Sequence, residues 1–210
     1  MIETVSDAIQ LVVLAVCFGL SLVRVLRVRS SAWLCITCFY ACMLFGNAYW
    51  FGYLVVFGET PHYSYIADLC WAAGYLFLLM PLVECNQRRA LAAPFPAAWI
   101  PAVMCAACGV YFIFANGHPV INVLYAALMG GLGFFAVRGL SAPPAKGFSG
   151  NHPFCWAVLA FVIVEQALWM SSLLLGPGPI LAIDPYIVFN FALTLMDLVM
   201  LACAWRSDDL

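Results

Sequence analysis

The sequence predicts an all-α membrane protein of seven transmembrane helices, with its N-terminus outside the cell and its C-terminus in the cytoplasm. Three observations predict it. The 210 residues are 66% hydrophobic and 9% charged, with a mean hydropathy of +1.03, whereas soluble domains run near ~45–50% apolar and ~25% charged. The apolar residues gather into seven stretches, each near the roughly 20 residues that cross a bilayer as a helix, without the alternation of a β-barrel. All eight Lys and Arg residues fall on one side of a seven-crossing path.

Taken in order, the predicted spans are residues 8–27, 32–56, 66–84, 97–116, 119–138, 153–175 and 185–205. The first is retained rather than cleaved, because its basic residues follow the apolar run instead of preceding it. Arg24, Arg27 and Arg29 end that span, Arg88 and Arg89 end the third, Arg138 and Lys146 follow the fifth, and Arg206 ends the seventh. The opposite side carries Glu3, Asp7, Glu59 and Asp184 with no Lys or Arg. Cytoplasmic loops collect basic residues, so this path satisfies the rule, and a six- or eight-helix count breaks it. The chain thus reads as a single seven-helix membrane domain, 1–210, with the lipid bilayer as its first partner.

Several function classes drop out at this stage. A net charge of −2 without any basic run leaves no footprint for nucleic acid. Cys35, Cys38 and Cys42 stack on the second span, and Cys105 and Cys108 on the fourth. With no His or carboxylate at metal-binding spacing beside them, they are expected to pack as small hydrophobes. His62 and His118 fall in outer loops and His152 in a cytoplasmic one, so no shared histidine site is expected, and neither a metal nor a cofactor is called for. The single lysine, Lys146, lies in a loop, which removes the Schiff-base chemistry of a retinal protein. Ala126, Ala127, Gly130, Gly131 and Gly133 give the fifth span a smooth surface for close helix approach, within the bundle or between protomers.

Ionisable residues at membrane depth cost about 2.5–3.5 kcal/mol on insertion scales and usually face the bundle interior or water. The seventh span carries Asn190, Thr194 and Asp197 at i, i+4 and i+7, on one face over two turns. The sixth carries Glu165, Trp169 and Ser172 at the same intervals, with Gln166 alongside. The third opens with Asp68, Trp71 and Tyr75, and the second offers Tyr40, Met43, Asn47 and Trp50 along one stripe. These residues either hydrogen-bond between helices as packing or line an outward-facing pocket in which aromatics supply contact area and a few polar groups set orientation. The ligand-binding set expected on the second reading is Asn47, Trp50, Asp68, Trp71, Tyr75, Glu165, Gln166, Trp169, Asn190, Thr194 and Asp197. Glu165 and Asp197 weigh most, because neither is near enough to a helix end to reach water easily and no Lys or Arg shares their depth.

A duplication is visible between spans one to three and five to seven, with the fourth as connector. Asn47-Ala48-Tyr49-Trp50 has a counterpart in Gln166-Ala167-Leu168-Trp169, and Tyr65-Ile66 in Tyr186-Ile187. The tryptophans are 119 residues apart and the tyrosines 121, so the match needs a two-residue insertion. A 3+1+3 parallel repeat of this kind recurs in small transporters.

The segment from Gly58 to Tyr75 runs Gly-Glu-Thr-Pro-His-Tyr-Ser-Tyr-Ile-Ala-Asp-Leu-Cys-Trp-Ala-Ala-Gly-Tyr. It resembles the multi-helix membrane sensor regions of bacterial diguanylate cyclases and histidine kinases, in which a proline-containing outer loop leads into an Ala-Asp pair at a helix start. The likeness covers about 20 residues. It implies a sensor or receptor-like protein binding a small molecule, with signalling output left to a separate partner or a homo-oligomer. A small-molecule or ion transporter of 3+1+3 architecture is the second expectation, and an intramembrane enzyme using paired carboxylates the third.

Overall fold

In the computed structural model, residues 2–58, 61, 65–88, 96–141, 151–174 and 184–206 are described. Seven α-helices account for nearly all of them: α1 (Ile2–Val28), α2 (Ser31–Phe57), α3 (Tyr65–Arg88), α4 (Trp99–Asn116), α5 (Pro119–Ser141), α6 (Asn151–Leu174) and α7 (Pro185–Arg206). A 3-10 turn, Pro96–Ala98, leads into α4, and the described residues contain no strand. All seven helices are long and apolar enough to cross a membrane. Glu59, His62, Arg89 and Lys146, and most of the loops that carry them, lie outside the described residues.

The helix ends follow from local chemistry. Gly58 takes φ 73° and returns its amide to the Leu54 carbonyl, closing α2. Gly117, at φ 74°, closes α4 through the Ile113 carbonyl. Both sit in the left-handed half of backbone space that glycine enters without a Cβ clash. Pro119 and Pro185 open α5 and α7, at first-turn positions where a missing amide costs nothing. The main departure from the predicted boundaries is α1, which begins at Ile2 rather than near residue 8. Asp7, expected in the segment before the helix, therefore lies inside it and is buried.

Six helices close into a ring: α1 packs on α2, α2 on α3, α3 on α5, α5 on α6, α6 on α7, and α7 back on α1. Helix α4 stands outside this ring and packs chiefly along α5. Large apolar side chains cover the outside, among them Phe45, Val56, Phe114, Val120 and Trp156. The core runs through the ring on Leu14, Trp33, Phe39, Tyr40, Tyr75, Leu78, Phe161 and Met200.

The two ends of the bundle differ in charge. At one end, Ser31 at the start of α2 donates to Glu84 of α3 at 3.5 Å, and Asn86 of α3 reaches the Phe135 carbonyl of α5 at 3.1 Å. There the Arg24 guanidinium lies over the Trp33 and Trp205 rings at 5.7 and 5.2 Å. Arg27, Arg29, Arg88, Arg138 and Arg206 belong to the same end, at or just beyond the C-terminal ends of α1, α3, α5 and α7. The other end holds the starts of α1, α3, α5 and α7, and among the described residues it contains no Lys or Arg.

Candidate functional site

The polar residues singled out in the sequence sort into two groups inside the ring. The first centres on Glu165. This residue sits about 21 Å along α6 from Asn151 and about 14 Å from Leu174 at the helical rise of 1.5 Å per residue, and it is only 3% exposed. The Tyr75 hydroxyl of α3 donates to Glu165 Oε1 at 2.6 Å, and Trp169, one turn further along α6, donates its indole N–H to the same oxygen at 3.0 Å. Glu165 Oε2 is buried and has no hydrogen-bond partner in the structure. The carboxyl is thus fixed by its first oxygen and left open at its second.

Aromatic rings surround this carboxyl. Trp71 lies with its ring centre 6.2 Å from that of Trp169, the planes meeting at 69°. Trp50 adjoins Trp71 at 5.9 Å, and Tyr125 adjoins both Tyr75, at 5.9 Å, and Trp169, at 6.5 Å. The Tyr125 hydroxyl donates to the Asp68 carboxylate at 3.2 Å and to the Asp68 carbonyl at 3.1 Å. Four helices, α2, α3, α5 and α6, therefore contribute to one arc, which gathers Trp50, Asp68, Trp71, Tyr75, Glu165 and Trp169. Close approach of α2 to α3 makes it possible: a methyl group on Gly46 would fall 2.6 Å from Trp71 Nε1.

The second group lies on α7. Asp197 is completely buried, and neither of its carboxyl oxygens has a hydrogen-bond partner in the structure. It is close enough to Glu165 for the two carboxyls to interact electrostatically. The Tyr40 hydroxyl of α2 holds the Asp197 backbone, donating to its carbonyl at 2.8 Å. Asn190 and Thr194 share the helix face of Asp197, but Asn190 is engaged on the α1 side: its amide donates to Ser6 Oγ at 3.2 Å and to Asp7 Oδ1 at 3.0 Å. The Thr194 hydroxyl returns to the Asn190 carbonyl at 2.9 Å.

Two expected residues stand apart. Asn47 is half-buried and spends its amide on the Met43 carbonyl of its own helix, at 2.9 Å. Gln166 is half-buried too, with Oε1 buried and without a hydrogen-bond partner in the structure. The sequence reading passed over Tyr125, a lone tyrosine on a Gly- and Ala-rich helix, and the buried face Ser6, Asp7 and Gln10 of α1. The i, i+1, i+4 spacing of that face was the available signal, hidden because hydropathy alone started the span past Ser6 and Asp7.

Chemically, the arrangement offers two buried carboxyl groups with spare acceptor oxygens, flanked by indole and phenol rings. No family model, curated protein or solved structure matches this chain.

Proposed function

We propose that this chain is a multi-pass protein of a bacterial inner membrane, N-terminus outside and C-terminus cytoplasmic, that senses a small molecule bound in the outer half of its helix ring. The orientation is supported by the arginines, which share one end of the bundle, as cytoplasmic ends do. Lys146, the single lysine, provides a test on native protein. A membrane-impermeant amine reagent applied to intact cells leaves Lys146 unmodified, and permeabilised cells lose that protection. Modification of Lys146 from outside would reverse the orientation.

The observation that carries the binding reading is the Glu165 carboxyl. Packing alone would be served by an apolar side chain, yet here a carboxyl is placed in the ring, oriented through one oxygen by Tyr75 and Trp169, and left with a buried acceptor unused. A buried acceptor without a partner costs about 1–3 kcal/mol, which a ligand that donates to it recovers. The test is thermal stability of the purified protein across a library of small solutes, since a ligand that binds only the folded state raises stability with concentration. A hit that Glu165→Gln abolishes supports the reading. A library with no hit at millimolar concentration removes it.

A transporter is the second reading, and one specific observation favours it. Exchanging α1, α2 and α3 for α5, α6 and α7 carries every contact of the ring onto another: α1 on α2 becomes α5 on α6, α2 on α3 becomes α6 on α7, and α3 on α5 becomes α7 on α1. A ring with this two-fold connectivity has two halves that can rock about a central site. Solute flux into proteoliposomes separates the readings: ligand-dependent stabilisation without flux is a sensor, and both together are a transporter.

A further inference from the structure

Among the described residues, the charged side chains around the site are carboxyls. Asp68 lies on the aromatic arc, Glu165 at its centre and Asp197 behind it, while Asp7 faces α7 in the same half of the bundle. The described Arg residues all belong to the opposite end, and the nearest one inward, Arg24, is engaged with Trp33 and Trp205. His118, on the acidic side, sits exposed at the turn between α4 and α5. Among the described residues, Glu165 and Asp197 therefore share their depth with no Lys or Arg. Three of their oxygens, Glu165 Oε2 and both of Asp197, are buried and unpartnered. A ligand that satisfies them brings hydrogen-bond donors and, most simply, positive charge.

The walls decide what kind of cation. A bare metal ion needs several hard oxygen ligands in a closed shell, and among the described residues no group of three or more His, Cys, Asp or Glu side chains converges on one point. What surrounds Glu165 instead is aromatic. Trp71 and Trp169 meet at 69°, forming a corner rather than a stack, with Tyr75 and Tyr125 on the adjoining side. Indole and phenol faces attract ammonium groups through the ring quadrupole, by about 2 kcal/mol or more when water is excluded. Such rings also cover the alkyl substituents that an inorganic ion lacks.

Resting on the reading of this site as a ligand site, we propose that it takes a small organic cation, an alkylammonium whose charge faces Glu165 and Asp197 and whose alkyl groups lie against Trp71, Trp169 and Tyr75. The experiment uses the full chain in lipid nanodiscs, with thermal stability measured in methylammonium, tetramethylammonium and choline chlorides. Sodium chloride at equal ionic strength and 3,3-dimethylbutan-1-ol, the uncharged shape of choline, are the controls. At least one ammonium raises the midpoint saturably and both controls leave it unchanged. Glu165→Gln weakens the apparent affinity at least tenfold, and Asp197→Asn reports the same loss should the first variant fail to fold.

Equal stabilisation by the uncharged alcohol would overturn the charge assignment while leaving the site a ligand site. Equal stabilisation by sodium would overturn the organic part in favour of an inorganic ion. No response to any of the three ammoniums would overturn the proposal outright. If the neutral and anionic members of a wider library were silent as well, the binding reading would fall with it.

Discussion

The seam between α4 and α5 and the junction of α3, α6 and α7 are built on opposite principles. Between α4 and α5 the contact is glycine backbone against small side chains. A methyl on Gly109 would fall 2.6 Å from the Ala126 Cβ, and one on Gly133 2.6 Å from the Pro101 Cβ. A groove of about 510 Å³ along that seam is lined almost wholly by apolar atoms, from residues such as Trp99, Ala106, Gly130 and Phe134. At the α3, α6 and α7 junction the helices carry Tyr75, Glu165, Trp169 and Asp197 into the interior. Small residues bring helices together cheaply in lipid, so a bundle that needed only cohesion would be built like the first seam throughout. Carboxyl groups, which cohesion alone does not call for, set the second region apart as the place of the proposed binding site.

The largest expected effect falls on the seam. Gly133→Leu drives a branched side chain into Pro101 and should cost about 3 kcal/mol, at the upper end of what overpacking does. It shows as a lowered thermal midpoint with unchanged ligand affinity in the fraction that remains folded. A loss of affinity at full stability would break the division between the two regions. Tyr75→Phe comes next. It removes the shorter of the two donors to Glu165 Oε1, costing about 1.5 kcal/mol, the upper end for a single hydrogen bond. Unlike the seam variant, it should lower stability and ligand affinity together.

Gly46→Ala sharpens the comparison from the α2 side, because the added methyl meets the edge of Trp71 rather than backbone. The indole can turn, so stability falls by only about 1 kcal/mol, whereas ligand affinity falls several-fold as the aromatic corner is displaced. Quenching of tryptophan fluorescence by ligand reads that displacement directly, and an unaltered quenching curve would detach Trp71 from the site. The smallest effect is expected at Asn47→Ala, under about 0.5 kcal/mol, since Asn47 bonds only to the Met43 carbonyl of its own helix. A large effect there, on stability or on binding, would mean that Asn47 itself takes part in the site.

How much of this was legible in the sequence depends on the range of the interaction. Seven helices follow from hydropathy at the bilayer's own length scale, and their ends from Gly58, Gly117, Pro119 and Pro185, all local signals. The face of α7 carrying Asn190, Thr194 and Asp197 follows from helical periodicity, and all three are buried. Periodicity says which residues share a face and not which neighbour that face meets. Asn190 accordingly turned out to serve α1 through Ser6 and Asp7. That α4 stands apart from the ring was signalled only by the spacing of the repeated residues, which made it the connector, and not by its composition. Tyr125 joined the site through Asp68, 57 residues away, a pairing that no local pattern announces.

The closure of the ring by α1 against α7 also has a consequence for biogenesis. Ser6 and Asp7 belong to α1, while Asn190, which bonds to both, is synthesised more than 180 residues later. During that interval α1 has to be held in the membrane without its eventual hydrogen-bond partner. The acidic, donor-poor start of α1 is then a surface that an insertion chaperone can grip and that proteolytic surveillance can inspect. Its masking by α7 marks the moment at which the ring closes.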